Sequence, residues 1–115
     1  MKEHEDVRAV ATHLVARLGP TLIAALSGSS NRRISYDWAQ GKGLGPGDPA
    51  VPRLLLAQRV WDVVSDAEGD NVARLWFIGA NPWLGDVTPI GAIRELRVDE
   101  VMNAARAMAE DQFLA

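Results

Sequence analysis

Apolar residues recur at helical spacing from one end of the chain to the other, and no stretch of useful length alternates as a strand would. Val7, Val10, Ala11, Leu14 and Leu18 form one stripe, which Gly19-Pro20 stops. Pro20 suits a first helical position and opens a short second helix, Thr21–Ser27, carrying Leu22, Ile23 and Leu26. Ser27-Gly28-Ser29-Ser30 reads as a turn, and either Ser29 or Ser30 can cap the helix that follows, roughly Asn31–Gln40, with Gly41 as its stop. Helices joined by short turns give an all-α bundle.

The sharpest break is Gly41-Lys-Gly-Leu-Gly-Pro-Gly-Asp-Pro49. Its glycines keep the unfolded backbone entropy high and its prolines bar a helix interior, so it reads as a linker between residues 1–48 and 49–115. Beyond it, Leu54, Ala57, Trp61 and Val64 mark a long helix ending near Ala67. A shorter helix, Asn71–Ile78, presents Val72, Leu75 and Trp76. Thr88-Pro89 combines a cap with a first-turn proline and opens Ile90–Leu96. The last helix starts near Asp99 as its cap, with the stripe Val98, Val101, Ala105, Met108 and Gln112.

The chain has no cysteine, which excludes disulfides and thiolate chemistry. His4 and His13 lack metal-ligand spacing, and no catalytic fingerprint is present, so neither a catalytic nor a metal site is expected. Gly41–Gly47 lacks the preceding strand and the Gly-Lys-Ser/Thr of a phosphate loop. The N-terminus, Met1-Lys-Glu-His-Glu-Asp6, leads into no apolar leader segment, and no apolar run approaches the roughly 20 residues that span a bilayer. A cytoplasmic protein with no membrane partner is expected. Net charge is −3, but residues 1–42 carry six basic groups against four acidic, and residues 43–115 six against eleven. That asymmetry lets the N-terminal part approach phosphate while the rest meets something else.

Two surfaces emerge. Helix 21–27, turn 28–30 and helix 31–40 have helix–turn–helix lengths, which would put Asn31, Arg32, Arg33, Ser35 and Tyr36 against bases and phosphates, flanked by Ser29, Ser30 and Lys42. An ordinary helical hairpin with solvated arginines fits the same spacing, and Asp37 on the same helix opposes phosphate. The second surface centres on Trp83, set in a Pro/Gly-flanked loop, where it either plugs the core or anchors a partner. Phe113 and Leu114, beyond the last regular stripe, either dock on their own domain or insert into a partner.

From about Val72 to Ala109 the chain resembles the toxin-binding domain of the Xre/MbcA/ParS family of antitoxins. The residues that carry the resemblance are Ala73-Arg-Leu-Trp76, Asn81-Pro82, Leu84-Gly85, Thr88-Pro89, and Arg97-Val-Asp-Glu-Val101 with the alanine-rich helix after it. The family commonly has glycine before Arg97, where this chain has Leu96. Upstream, residues 20–42 are similar to the family's Xre-type helix–turn–helix, with Trp38-x-x-Gly41-Lys42 matching its ending.

The resemblance implies an N-terminal helix–turn–helix and a C-terminal helical domain for toxin binding and dimerisation. It implies an antitoxin without a cofactor of its own, paired with an RES-domain toxin that consumes NAD⁺. The C-terminal end would reach the toxin's active-site cleft, giving Met108, Asp111, Gln112, Phe113, Leu114 and Ala115 as toxin contacts, to which the loop tryptophan Trp83 is added as an anchor. Homodimerisation and repression of its own operon at operator DNA are further expectations, and a free-standing helix–turn–helix regulator is the alternative.

Overall fold

A computed structural model describes the backbone of residues 2–29, 31–42 and 45–114, with side chains for 7–29, 31, 33–42 and 45–110. These residues form seven α-helices: α1 (Lys2–Leu18), α2 (Pro20–Leu26), α3 (Arg32–Ala39), α4 (Val51–Glu68), α5 (Asp70–Ile78), α6 (Pro89–Arg94) and α7 (Val98–Leu114). A single 3-10 turn, Pro82–Leu84, lies between α5 and α6. The expected all-α bundle is the observed architecture.

α4 is the central element, packed against α1, α2, α5, α6 and α7. The 3-4-3 stripe Leu54, Ala57, Trp61 and Val64 is buried as read, and Leu56 and Val60 join it because neighbours approach from more than one side. Trp61 meets Phe77 of α5 with ring centroids 6.0 Å apart, and Phe77 receives the edge of Trp76 at 5.4 Å. Both separations fall in the range of favourable aromatic pairs. The linker divides the sequence but not the packing: Leu14 and Leu26 lie in the same buried cluster as Leu54, Ile93 and Val101.

The N-terminal signals behave as their chemistry dictates, with one change. Gly41 (φ +73°) ends α3: its N–H donates to the Trp38 carbonyl, and the Lys42 N–H donates to Asp37, as in a left-handed helix stop. The α3 cap is Asn31 rather than a serine, its side-chain oxygen accepting from the Arg33 N–H at 3.0 Å. Ser29 sits two residues back, its hydroxyl accepting from the Asn31 N–H at 3.0 Å and so shaping the turn. Asparagine is as strong a cap as serine, which is why composition alone did not separate them.

α5 turns a different face inward from the one its spacing suggests. Ala73 and Phe77 are buried, Trp76 is half-buried, and Val72 and Leu75 point outward. The helix carries apolar side chains on two faces. The small Ala73 permits close approach to α4, and Phe77 fills the space against Trp61.

The α6–α7 junction also differs from expectation. α6 ends at Arg94, and Leu96 takes φ +56°, with its N–H donating to Ile93 and the Arg97 N–H to Ala92. This is the same left-handed stop that glycine makes at Gly41, built here on a leucine that packs partly against the core. Arg97 then precedes α7, and its carbonyl accepts from the Val101 N–H at 2.9 Å. The helix therefore starts one residue before Asp99, leaving Asp99 and Glu100 in its first turn, where their charge suits the helix dipole. Val98 is displaced to the surface, while Met102 and Ala104 join Val101 and Ala105 inside.

Residue 96 yields a stability prediction. A left-handed L-residue costs about 1–2 kcal/mol, and glycine escapes most of that cost. Leu96→Gly should therefore be more stable than Leu96→Ala by about 1 kcal/mol in thermal or denaturant unfolding, the reverse of their order inside a helix.

Candidate partner-binding surface

The segment Asn81–Pro89 is a tightly determined turn. Asn81 is buried, and its side-chain oxygen accepts from the Trp83 N–H at 2.9 Å, capping the 3-10 turn. The Asn81 carbonyl accepts from Leu84 and Asp86, both at 2.9 Å, while its own N–H donates to Val87 at 3.1 Å and closes an antiparallel bridge. Pro82 fixes the entry to the turn, and Gly85 supplies φ +69°. Asp86 follows at φ +68°, a region that aspartate tolerates better than most residues. Leu84 is buried beneath the turn, and the Thr88 hydroxyl accepts from the Gly91 N–H at 3.1 Å to start α6.

Arg97 ties this turn to the helices around it. Its side chain donates from Nε to Glu100 Oε1 at 3.1 Å and from Nη2 to the other Glu100 oxygen, and Nη2 also reaches the Leu84 carbonyl at 3.3 Å. The Glu100 hydrogen bond raises the Arg97 pKa most, desolvation works against it, and the charges of Glu100 and Glu95 add smaller upward contributions. Reciprocally, the hydrogen bond from Arg97 holds the Glu100 carboxyl below the usual carboxylate range.

This framework presents an apolar face. Trp83 is 64% exposed, which disposes of the core-plug alternative, and Leu75 on α5 is 67% exposed with Val72, Ile78 and Val87 also at the surface. Beside Trp83 runs a groove of about 270 Å³, lined by Trp76, Ala80, Pro82, Ala104, Ala107 and Met108. It is smaller than the clefts that bury drug-sized ligands, and suits one or two protein side chains. Tryptophan beside small residues and a methionine is the composition of an interface anchor point. Met108 is half-buried along the groove, packed partly against the core. The α7 backbone continues to Leu114, while the side chains of Asp111, Gln112, Phe113 and Leu114, and all of Ala115, lie outside the described residues.

Spacing alone missed Val72, Leu75 and Ile78 as surface residues and Arg97 as a structural node. The available signal was that α5 bears apolar residues on two faces, only one of which a single-layer bundle can bury.

The residues expected to face DNA divide between surface and interior. α2 and α3 pack on each other and on α1. Asn31, Arg33, Tyr36 and Lys42 are exposed, with the Asn31 oxygen committed to its cap. Ser35 is a correction: it is fully buried, and its hydroxyl donates to the Pro20 carbonyl at 2.6 Å, so it locks α3 onto α2 and faces no ligand. Ser29 is half-buried, with its hydroxyl engaged in the turn before α3. Ser30 and the Arg32 side chain lie outside the described residues. Among the described residues no three His, Asp or Glu side chains gather as metal ligands, and no helix is long and apolar enough to cross a membrane.

Among solved structures, the chain matches one chain of the crystal structure of the M. tuberculosis MbcT-MbcA toxin-antitoxin complex. The TM-score is 0.75 at 21% sequence identity, over 90% of this chain and 94% of that one. The two share a fold. No protein-family model and no curated protein matches the chain.

Exposure sets the expected effects of substitution here. Trp83→Ala should shift unfolding stability by no more than about 0.5 kcal/mol, as for other exposed sites. Its neighbour Leu84→Ala should cost about 2–5 kcal/mol by leaving a cavity under the turn. The Arg97–Glu100 pair adds a pH signature. A depressed carboxylate pKa contributes stability above the unfolded value and loses it as pH falls through the folded one. The stability gap between wild type and Glu100→Gln should thus be present at neutral pH and close on acidification.

Proposed function

We propose that this chain is a type II antitoxin that binds a toxin through the Trp83 face and neutralises it. The observation that carries the reading is the match of fold, over nearly the whole of both chains, to a chain from a toxin–antitoxin complex. The exposed tryptophan on a rigid turn adds a physical reason for a protein partner, since a solvent-facing indole of this kind has its largest stabilising role when covered. The toxin we propose is an RES-domain protein that consumes NAD⁺. The antitoxin's C-terminal segment, from Met108 through Asp111, Gln112, Phe113, Leu114 and Ala115, would cover its active site. Residues 49–115 form the toxin-binding part and residues 1–48 the DNA-facing part, in a homodimeric cytoplasmic protein that represses its own operon.

Co-expression with the toxin encoded in the adjacent reading frame should restore growth and cellular NAD⁺. Unabated killing would sink the proposal. Deleting Gln112–Ala115 should abolish protection while leaving the helical circular dichroism spectrum and unfolding midpoint nearly unchanged. A truncated chain that still protects would show that the terminus does no blocking.

A second reading, a free-standing transcriptional regulator, is favoured by the exposed Arg33, Tyr36 and Lys42 around α3. In that case the chain shifts its own upstream DNA at low salt, and Arg33→Ala weakens the shift and flattens its salt dependence, as expected when a phosphate contact is lost. Absence of any shift at low salt would leave α2–α3 a structural hairpin.

A further inference from the structure

Arg97 is the one residue whose described bonds join the 3-10 turn, α6 and α7. Its N–H donates to Ala92 at the end of α6, its carbonyl accepts from Val101 at the start of α7, and its guanidinium reaches the Leu84 carbonyl. Leu84 directly follows Trp83, so a bond to the Leu84 carbonyl acts on the segment that carries the indole. The donors to that carbonyl are the Val87 N–H at 3.4 Å and Arg97 Nη2 at 3.3 Å. Both are long for N–H···O contacts, so neither holds the carbonyl alone, and the charged donor is the stronger kind.

Glu100 grips the guanidinium through both of its oxygens from the first turn of α7, and the Arg97 side chain is only 26% exposed. Arginine's fork allows this two-ended arrangement, one edge on a carboxylate and one N–H left for a carbonyl; a lysine ammonium is a point charge and cannot reproduce it. The preceding Leu96, in its left-handed conformation, turns the chain so that Arg97 leaves α6 toward the 3-10 turn.

We propose that Arg97, held by Glu100, is a positioning residue that fixes the orientation of the Trp83 turn and thereby sets the affinity of this face for its protein partner. The inference rests on the reading of Trp83 as the partner anchor. Arg97 need not touch the partner. Its effect passes through the Leu84 peptide.

The test uses the full chain and two readouts. Amide hydrogen exchange at Asp86 and Val87, whose N–H groups donate within the turn, reports the turn in the absence of any partner. Affinity for the purified product of the neighbouring toxin gene, measured by calorimetry, reports binding. In Arg97→Gln, exchange at Asp86 and Val87 should rise at least tenfold while the buried Val60 and Val64 of α4 keep their protection, and affinity should fall at least tenfold. Arg97→Lys should fail to rescue either readout fully, and Glu100→Gln, which retains the arginine, should move both in the same direction by less. Unchanged exchange in Arg97→Gln would overturn the positioning role. So would faster exchange with undiminished affinity. If Arg97→Gln does not fold, Glu100→Gln decides by the same criteria. If the wild-type chain does not bind the toxin, the reading of the Trp83 face fails, and the exchange comparison still decides whether Arg97 holds the turn.

Discussion

The packing of α4 against helices from both sides of the glycine-rich linker is the constraint on which the rest depends. A helix surrounded by α1, α2, α5, α6 and α7 cannot shift without disturbing every layer, because a close-packed interior transmits small volume changes. The ring contact from Trp61 to Phe77 fixes α5, and through it the point where the chain enters the Asn81 turn. Side chains then fasten the surface to this frame. Arg53 donates to the Pro49 carbonyl and to the Arg94 carbonyl at 2.6 Å, joining the linker's end to the end of α6. Arg74 donates to the Arg17 carbonyl at 2.7 Å, joining α5 to the last turn of α1.

On that frame the molecule separates two kinds of surface. Around α3 the exposed groups include Asn31, Arg33 and Lys42 alongside Ile34 and Tyr36, whereas the 3-10 turn and α5 expose the larger apolar side chains Trp83, Leu75 and Ile78. Both surfaces are held by polar side chains that sit among the candidate contacts but bond inward. Ser35 lies among the α3 residues but bonds backward to Pro20, and Asn81 lies beside Trp83 but is consumed by the turn it caps.

Much of the fold was legible because its punctuation is local. Pro20, Gly41, Thr88 and Pro89 act through their own backbone chemistry, so the helix boundaries they set follow from one or two residues. The errors fall where a choice is made by tertiary packing. α5 offers two apolar faces, and only the distance to α4 selects Ala73 and Phe77 over Val72 and Leu75. The start of α7 depends on a left-handed leucine, which no propensity would nominate. The site was legible in part for the same reason. The flanking proline and glycine marked Trp83 as a loop tryptophan, but its direction could be decided only once the core was filled without it. Arg97 belongs to a motif legible in the sequence, but its bond to the Leu84 carbonyl spans a sequence separation that periodicity does not address.

The turn that carries Trp83 has a kinetic consequence. Its backbone is bonded to itself through Asn81, Leu84, Asp86 and Val87 and needs no partner to take shape. Association with any protein that covers the indole therefore begins from a conformation already populated, and the encounter is limited by diffusion and orientation rather than by loop ordering. The entropy that a floppy loop would surrender at docking has been spent during folding instead, so variation at this face should appear mainly as differences in how long a complex lasts.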